Sequence, residues 1–242
     1  MPKLPDPDKY NDPIKFFRDC HALIITQVNL LEQLVLDAES KGVIWSLKKD
    51  SRWADLLDFF VNTAPLHEMD EEVALFPVVV EKIPHFGFQS PDSAKRFIED
   101  QHEMLQYKSG ALLRFWKESL GKNELSSDES TTFVRNAKEL ISLYREHVRK
   151  ENEIIYTLAN DELLSPQERQ DVIEKIRENR SEVVQTAYLD FEEPTYTLKG
   201  YKPIIVSGGG EDAVSESTLE SENEEEESEG EEGDDAEVEN RY

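Results

Sequence analysis

The stretch YREHVRKENEIIY, residues 144–156, decides how the chain is read, because it sets His147 and Glu151 four residues apart on a helical stripe that is otherwise apolar. Followed outward in steps of four and three, that stripe is Phe133, Ala137, Leu140, Tyr144, His147, Glu151, Ile154 and Leu158, the period of a helix with one buried face. An imidazole and a carboxylate therefore sit in a seam expected to be dry. Burying a carboxylate costs several kcal/mol unless it is paired, neutralised or bound to a metal, so the pair asks for a cation. Alone the signal is weak, since surface helices carry H-x-x-x-E by chance.

A second copy changes its weight. LHEMDEEVALFP, residues 66–77, repeats the pair as His67 and Glu71, on the stripe Trp53, Leu56, Phe60, Ala64, His67, Glu71, Ala74 and Val78. Two further histidines lie on apolar stripes: His21 with Ile14, Phe17, Ile24 and Val28, and His102 with Ile98, Leu105, Leu112 and Trp116. Four of the five histidines are thus expected to face a core. The fifth, His85, falls in a segment of Pro, Gly and Ser and reads as a loop residue.

Composition bounds the rest. A chain of 242 residues, 38% hydrophobic and 33% charged, is long enough for one good core and too acidic to be globular throughout. Residues 207–242 hold 16 of the 53 acidic residues and one of the 27 basic ones, so they read as a disordered acidic tail that buries too little apolar surface to order itself. Ser217, Ser221 and Ser228 in it each precede a glutamate by three positions, the spacing favoured by acid-directed kinases. The remaining residues are acidic too, and no basic stripe appears, which argues against a nucleic-acid partner. Neither a secretory leader nor an uninterrupted membrane span is visible, and Cys20 is the single cysteine, so no internal disulfide forms. A cytoplasmic protein is expected, with the nucleus as the alternative. Cys20 itself reads as a small buried residue, since its neighbour His21 points about 100° away on a helix.

Taken in order, residues 1–11 form an N-terminal arm. A first helix opens at Asp12 and Pro13 and stops at Gly42; a second spans about 51 to 80, with a kink or break expected at Pro65. A third runs from about 91 to 120 and a fourth from about 130 to 160. Ser165, Pro166 and Glu168 make a capping box for a fifth helix to about 186, expected as packing or as a cover over one end of the bundle, inside an additional segment 161–188. Residues 189–206 read as an extended strap, broken by Pro194, Gly200 and Pro203.

The succession His21, His67-x-x-x-Glu71, His102, His147-x-x-x-Glu151 on four helices resembles the hemerythrin-like, or HHE cation-binding, family, and the run EEVALFP after His67 looks like that family's second helix. The resemblance covers about residues 12–160. It implies an all-α fold, an up-down four-helix bundle around a non-haem di-iron centre, with His21, His67, His102 and His147 as terminal ligands and Glu71 and Glu151 as carboxylates shared by the metals. The donor chemistry agrees independently: imidazole and carboxylate suit iron, manganese or zinc, and bundle cores are built to present them inward. Oxygen-carrying hemerythrins have a second histidine one turn away on the third helix, where this chain has Ile98 and Gln106 beside His102, and an aspartate where this chain has Asn152. The chain therefore looks more like the branch that includes iron-sensing and uncharacterised HHE proteins than like an oxygen carrier. Glu68 and Glu103, each next to a histidine, are candidates for an added ligand but read first as solvated surface carboxylates.

The function so implied is binding of two iron ions with a response to iron, oxygen or peroxide. An iron-dependent protein-interaction module, contacting a partner through the C-terminal segment or the acidic tail, is the alternative from another class, and a metal-free scaffold is disfavoured by the cost of uncompensated buried carboxylates.

Overall fold

The computed structural model describes residues 2–82 and 91–182, with two short extended pieces, Val184–Gln185 and Tyr196–Thr197; side chains at 91–95, 97, 98, 161, 162 and from 182 onward are not among those described. The loop with His85, the greater part of the strap and the acidic tail with its serines lie outside the described residues.

Helix α1, Pro13–Lys41, starts where the sequence predicts, because the Asp12 carboxylate accepts from the Ile14 amide at 3.0 Å and Pro13 offers no amide to satisfy. It ends at Gly42, whose φ of 93° is open to glycine and strained for other residues. A short helix α2, Val43–Lys49, follows that the periodicity did not reveal. Two indoles hold it down: Trp53 Nε1 donates to Ser46 Oγ at 3.1 Å, and Trp116 Nε1 to the Leu47 carbonyl at 3.2 Å.

The expected second helix is three α-helical pieces, α3 (Arg52–Asp58), α4 (Ala64–Asp70) and α5 (Phe76–Val80), joined by π-turns at Phe59–Thr63 and Glu71–Leu75. Pro65 and Pro77 are the second residues of α4 and α5. A proline there has no amide to give and its ring meets the carbonyl four residues back, and one added residue in the preceding turn relieves both. The break expected at Pro65 is thus a π-turn, and Pro77 brings a second.

Helix α6, Pro91–Leu120, leads to α7, Ser127–Lys150, which starts three residues before the predicted position because Ser126 and Glu129 form a reciprocal capping box. Two more π-turns, Glu151–Ile155 and Ala159–Leu163, flank the single turn α8, Tyr156–Leu158. Helix α9, Pro166–Glu182, uses the predicted Ser165/Glu168 capping box and ends four residues short of the expected end; Val184–Gln185 then pairs antiparallel with Tyr196–Thr197.

Cross-helix pairs fix the topology. Arg145 with Glu32 and Lys138 with Glu39 run α7 against α1 in opposite directions; Lys108 with Glu139 and Lys122 with Glu129 do so for α6 and α7; Arg52 with Asp37, and the contact of the His21 and His67 rings, do so for α1 and the α3–α5 run. Gln106 with Glu68 and His102 with Glu72 oppose α6 to α4 and the π-turn after it. The result is an up-down four-helix bundle, α1, the α3–α5 run, α6 and α7, with α9 packed against α1 and the Glu71–Leu75 turn. The core has two apolar layers. One runs from Ile24 to Ala38 on α1, with Trp53, Phe60, Leu112, Phe133 and Tyr144. The other joins Ile14, Phe17 and Cys20 to Phe76, Tyr156 and, from α9, Val172, Ile173 and Ile176. On α1, on the α3–α5 run and on the run from α7 into α8 the predicted histidines fall where one layer gives way to the other.

One part of the predicted stripes is wrong. Ile154 is 45% exposed, and Leu158 and Val78 are only half-buried, whereas Tyr156 and Ala159 are fully buried. The π-turns at Glu71 and Glu151 each insert one residue, so the buried stripe slips by one beyond them.

Candidate metal centre

The bundle delivers one histidine from each helical run: His21 from α1, His67 from α4, His102 from α6 and His147 from α7. Glu71 and Glu151 are the opening residues of the two π-turns that follow His67 and His147. All six side chains are at most 4% exposed. Their donor atoms gather into two groups, His21, His67, Glu71 and Glu151 in one and Glu71, His102, His147 and Glu151 in the other, with the donors of each within 4.8 Å of one another. Both carboxylates belong to both groups. Glu151 Oε2 lies 3.1 Å from Nε2 of His21 and 3.1 Å from Nε2 of His147, and its Oε1 lies 3.6 Å from Nε2 of His102. Glu71 Oε2 lies 3.6 Å from Nε2 of His67 and 3.6 Å from Nε2 of His102.

The imidazoles share one orientation, Nε2 inward. The outward Nδ1 atoms of three meet oxygen acceptors: Asn152 Oδ1 at 3.2 Å from His21, Glu72 Oε1 at 2.7 Å from His102 and Gln101 Oε1 at 3.3 Å from His147. An acceptor at Nδ1 holds the proton there and leaves the Nε2 lone pair free to bind a cation, the usual support of a metal-ligating histidine. His67 Nδ1 has no such partner. Among these supporting residues only Asn152 stood out in the sequence, as a departure from the oxygen carriers, and its amide oxygen now has a role. Tyr156 also escaped the periodicity. Its ring stacks on His21 with centroids 4.9 Å apart, and its hydroxyl donates to Glu71 Oε1 and lies 3.3 Å from His21 Nε2.

The charges are poorly matched within the cluster. Burial, together with the nearby Glu151, pushes the Glu71 carboxyl well above the usual range. Burial would do the same to Glu151, but His147, His102 and His21 outweigh it and hold it low. Burial lowers His67 strongly, with His21 adding to the effect, and brings His147 down to about 3. For His102 burial also works downward, yet the nearby carboxylates of Glu151 and Glu72 prevail and raise it. Five inward donor atoms, His67 Nε2, His102 Nε2, Glu71 Oε2 and both oxygens of Glu151, have no hydrogen-bond partner. Buried polar atoms are seldom left so, and a cation in each donor group satisfies all of them. The two clusters have the donor set and the burial of a metal cation site.

Glu68 corrects the sequence reading. It is 2% exposed, not solvated, because α6 covers it: Gln106 Nε2 donates to its Oε2 at 2.8 Å, and burial first of all raises its carboxyl to about 7. Asp70 is likewise fully buried, under α9, where Arg180 Nε donates to it at 2.7 Å and Asn179 Nδ2 at 3.1 Å. Helix α4 is enclosed on nearly every side, which an amphipathic pattern does not convey. Glu103 is exposed as expected, and Cys20 is buried in the apolar layer.

Comparison with known proteins agrees with this geometry. The family profile described as the hemerythrin HHE cation binding domain matches residues 12–159, more than half of the chain. An uncharacterized protein of Haemophilus influenzae is 29% identical over 143 residues, covering 59% of this chain and 76% of that protein. No solved structure matches.

Proposed function

The chain belongs to the hemerythrin HHE cation-binding family, and from that premise we propose that it holds two iron ions in the bundle core and responds through them to iron, oxygen or peroxide. His21 and His67 would hold one ion and His102 and His147 the other, with Glu71 and Glu151 available to both. The observation that carries this reading is that the same two carboxylates are common to both donor groups, as a bridged pair requires. Six protein donors leave open positions, and iron there supplies redox chemistry with dioxygen or peroxide; manganese and zinc suit the same donors. Among the described residues no helix is long and apolar enough to cross a membrane, in keeping with a cytoplasmic or nuclear site of action.

Metal analysis of anaerobically purified protein, with an optical spectrum before and after air, tests the reading. About two irons per chain and a spectrum that changes on aeration are expected. Stoichiometric zinc, or iron below one ion per chain, overturns it.

A second reading, an iron-dependent interaction module, has one observation in its favour: Asp70, next to Glu71, is gripped by Asn179 and Arg180 of α9. Metal occupancy and the seating of the outer helix are then linked. Chelation separates the two, since a module releases α9 to protease when stripped of metal and a preformed centre does not.

A further inference from the structure

The two π-turns place different residues at the same relative position. In each, the amide five residues after the glutamate donates to that glutamate's carbonyl: Phe76 to Glu71, and Tyr156 to Glu151. In a regular helix a side chain five residues on lies about 140° around from the glutamate, facing away. The inserted residue turns it back toward the centre. Phe76 stacks over His102, with centroids 6.1 Å apart at 22°; Tyr156 stacks over His21, 4.9 Å apart at 21°. One ring ends in carbon, the other in oxygen.

We infer that Tyr156 Oη is a fifth protein donor to the His21/His67 ion, with no counterpart among the described residues at the His102/His147 ion, so that the donor set they form is asymmetric. The inference rests on the metal reading above and adds a residue to it. The tyrosine is fully buried, and its oxygen has only inward partners, Glu71 Oε1 and, at 3.3 Å, His21 Nε2. Donors on one ion at about 2.1 Å lie about 3 Å apart, so the Tyr156 oxygen, 3.3 Å from the His21 nitrogen, stands where a neighbouring vertex of one coordination shell would lie. With Nδ1 of His21 facing Asn152, Nε2 turns its lone pair to the same point. On ligation the phenol proton is released to solvent and the hydrogen bond to Glu71 is given up. Among the described residues the His102/His147 ion has the fewer donors and keeps the room for a small exogenous ligand, and the hard phenolate oxygen favours the trivalent state at the other.

Full-length protein loaded with iron in air is examined by visible absorption and resonance Raman, beside Tyr156→Phe, with helical circular dichroism as the fold control. A broad visible band with tyrosinate ring vibrations is expected in the wild type and its complete loss in the variant. Iron-loaded wild type without those vibrations, or a band that survives in Tyr156→Phe, overturns the inference and leaves the tyrosine a hydrogen-bond donor. Zinc addition gives an independent readout, the ultraviolet difference signature of ionised tyrosine, expected in the wild type and absent from the variant. If the chain takes zinc with that signature but no iron, the iron reading fails and the tyrosine assignment stands. If it binds neither metal, both fall.

Discussion

The two H-x-x-x-E segments present the same chemistry in unlike surroundings. His67–Glu71 lies in a helix walled in on nearly every side: α6 covers Glu68, α9 covers Asp70, and both site residues are fully buried. His147–Glu151 lies on a helix whose outer face is open, where Arg149 pairs with Glu146 and Glu153 in solvent. Each segment leads into a π-turn opening on its glutamate, so the local device is shared. What differs is the support. The enclosed copy is held by a buried ion pair and packing; the open copy is held by an amide acceptor, Gln101, behind its histidine. Two segments can thus supply the same pair of donors, one His and one Glu, while owing their geometry to different forces.

The test with the largest expected effect asks whether the two glutamates are equivalent. Glu151→Ala and Glu71→Ala should each leave metal content well below two ions per chain, because each removes a donor from both groups. Full occupancy in either variant breaks the equivalence and removes that residue from the ligand set.

Next comes the enclosed copy's ion pair. Arg180→Ala leaves the Asp70 carboxylate buried with the amide of Asn179 alone, and breaking such a pair costs about 3–5 kcal/mol. A denaturant melt reads the loss, and Arg149→Ala on the open copy, an exposed and solvent-screened pair, should cost far less. Equal losses would mean that α9 adds no special support.

A smaller effect is expected from Gln101→Leu, which removes the acceptor behind His147 and should weaken metal binding about 10–100-fold while the fold persists. Competition with a chelator measures it. An unchanged affinity would show that packing alone orients His147, as it must orient His67.

Ile154→Ser should do least. The π-turn has rotated Ile154 outward, so the change should stay within about 0.5 kcal/mol. A loss near the 2–5 kcal/mol of a core truncation would mean that the regular stripe continues past Glu151 after all.

Local patterns in the sequence were enough for the four long helical runs, because their signals are local: Asp12 with Pro13, Gly42, the Ser165/Glu168 box, and apolar residues recurring at three and four. The same periodicity singled out His21, His67, Glu71, His102, His147 and Glu151 as polar groups in dry seams, since a stripe marks what faces inward whatever its chemistry. Tertiary structure decided the rest. A period has no term for an inserted residue, so the exchange of Ile154 for Tyr156 at the buried face was invisible until the π-turn was seen. Neither could it reveal that α6 and α9 close over Glu68 and Asp70, because burial by a second and third neighbour depends on contacts across 38 residues in one case and 110 in the other. The Nδ1 partners Glu72, Gln101 and Asn152 are polar residues of kinds common on any helix surface, and only the packing of one helix on another turns them into parts of the centre.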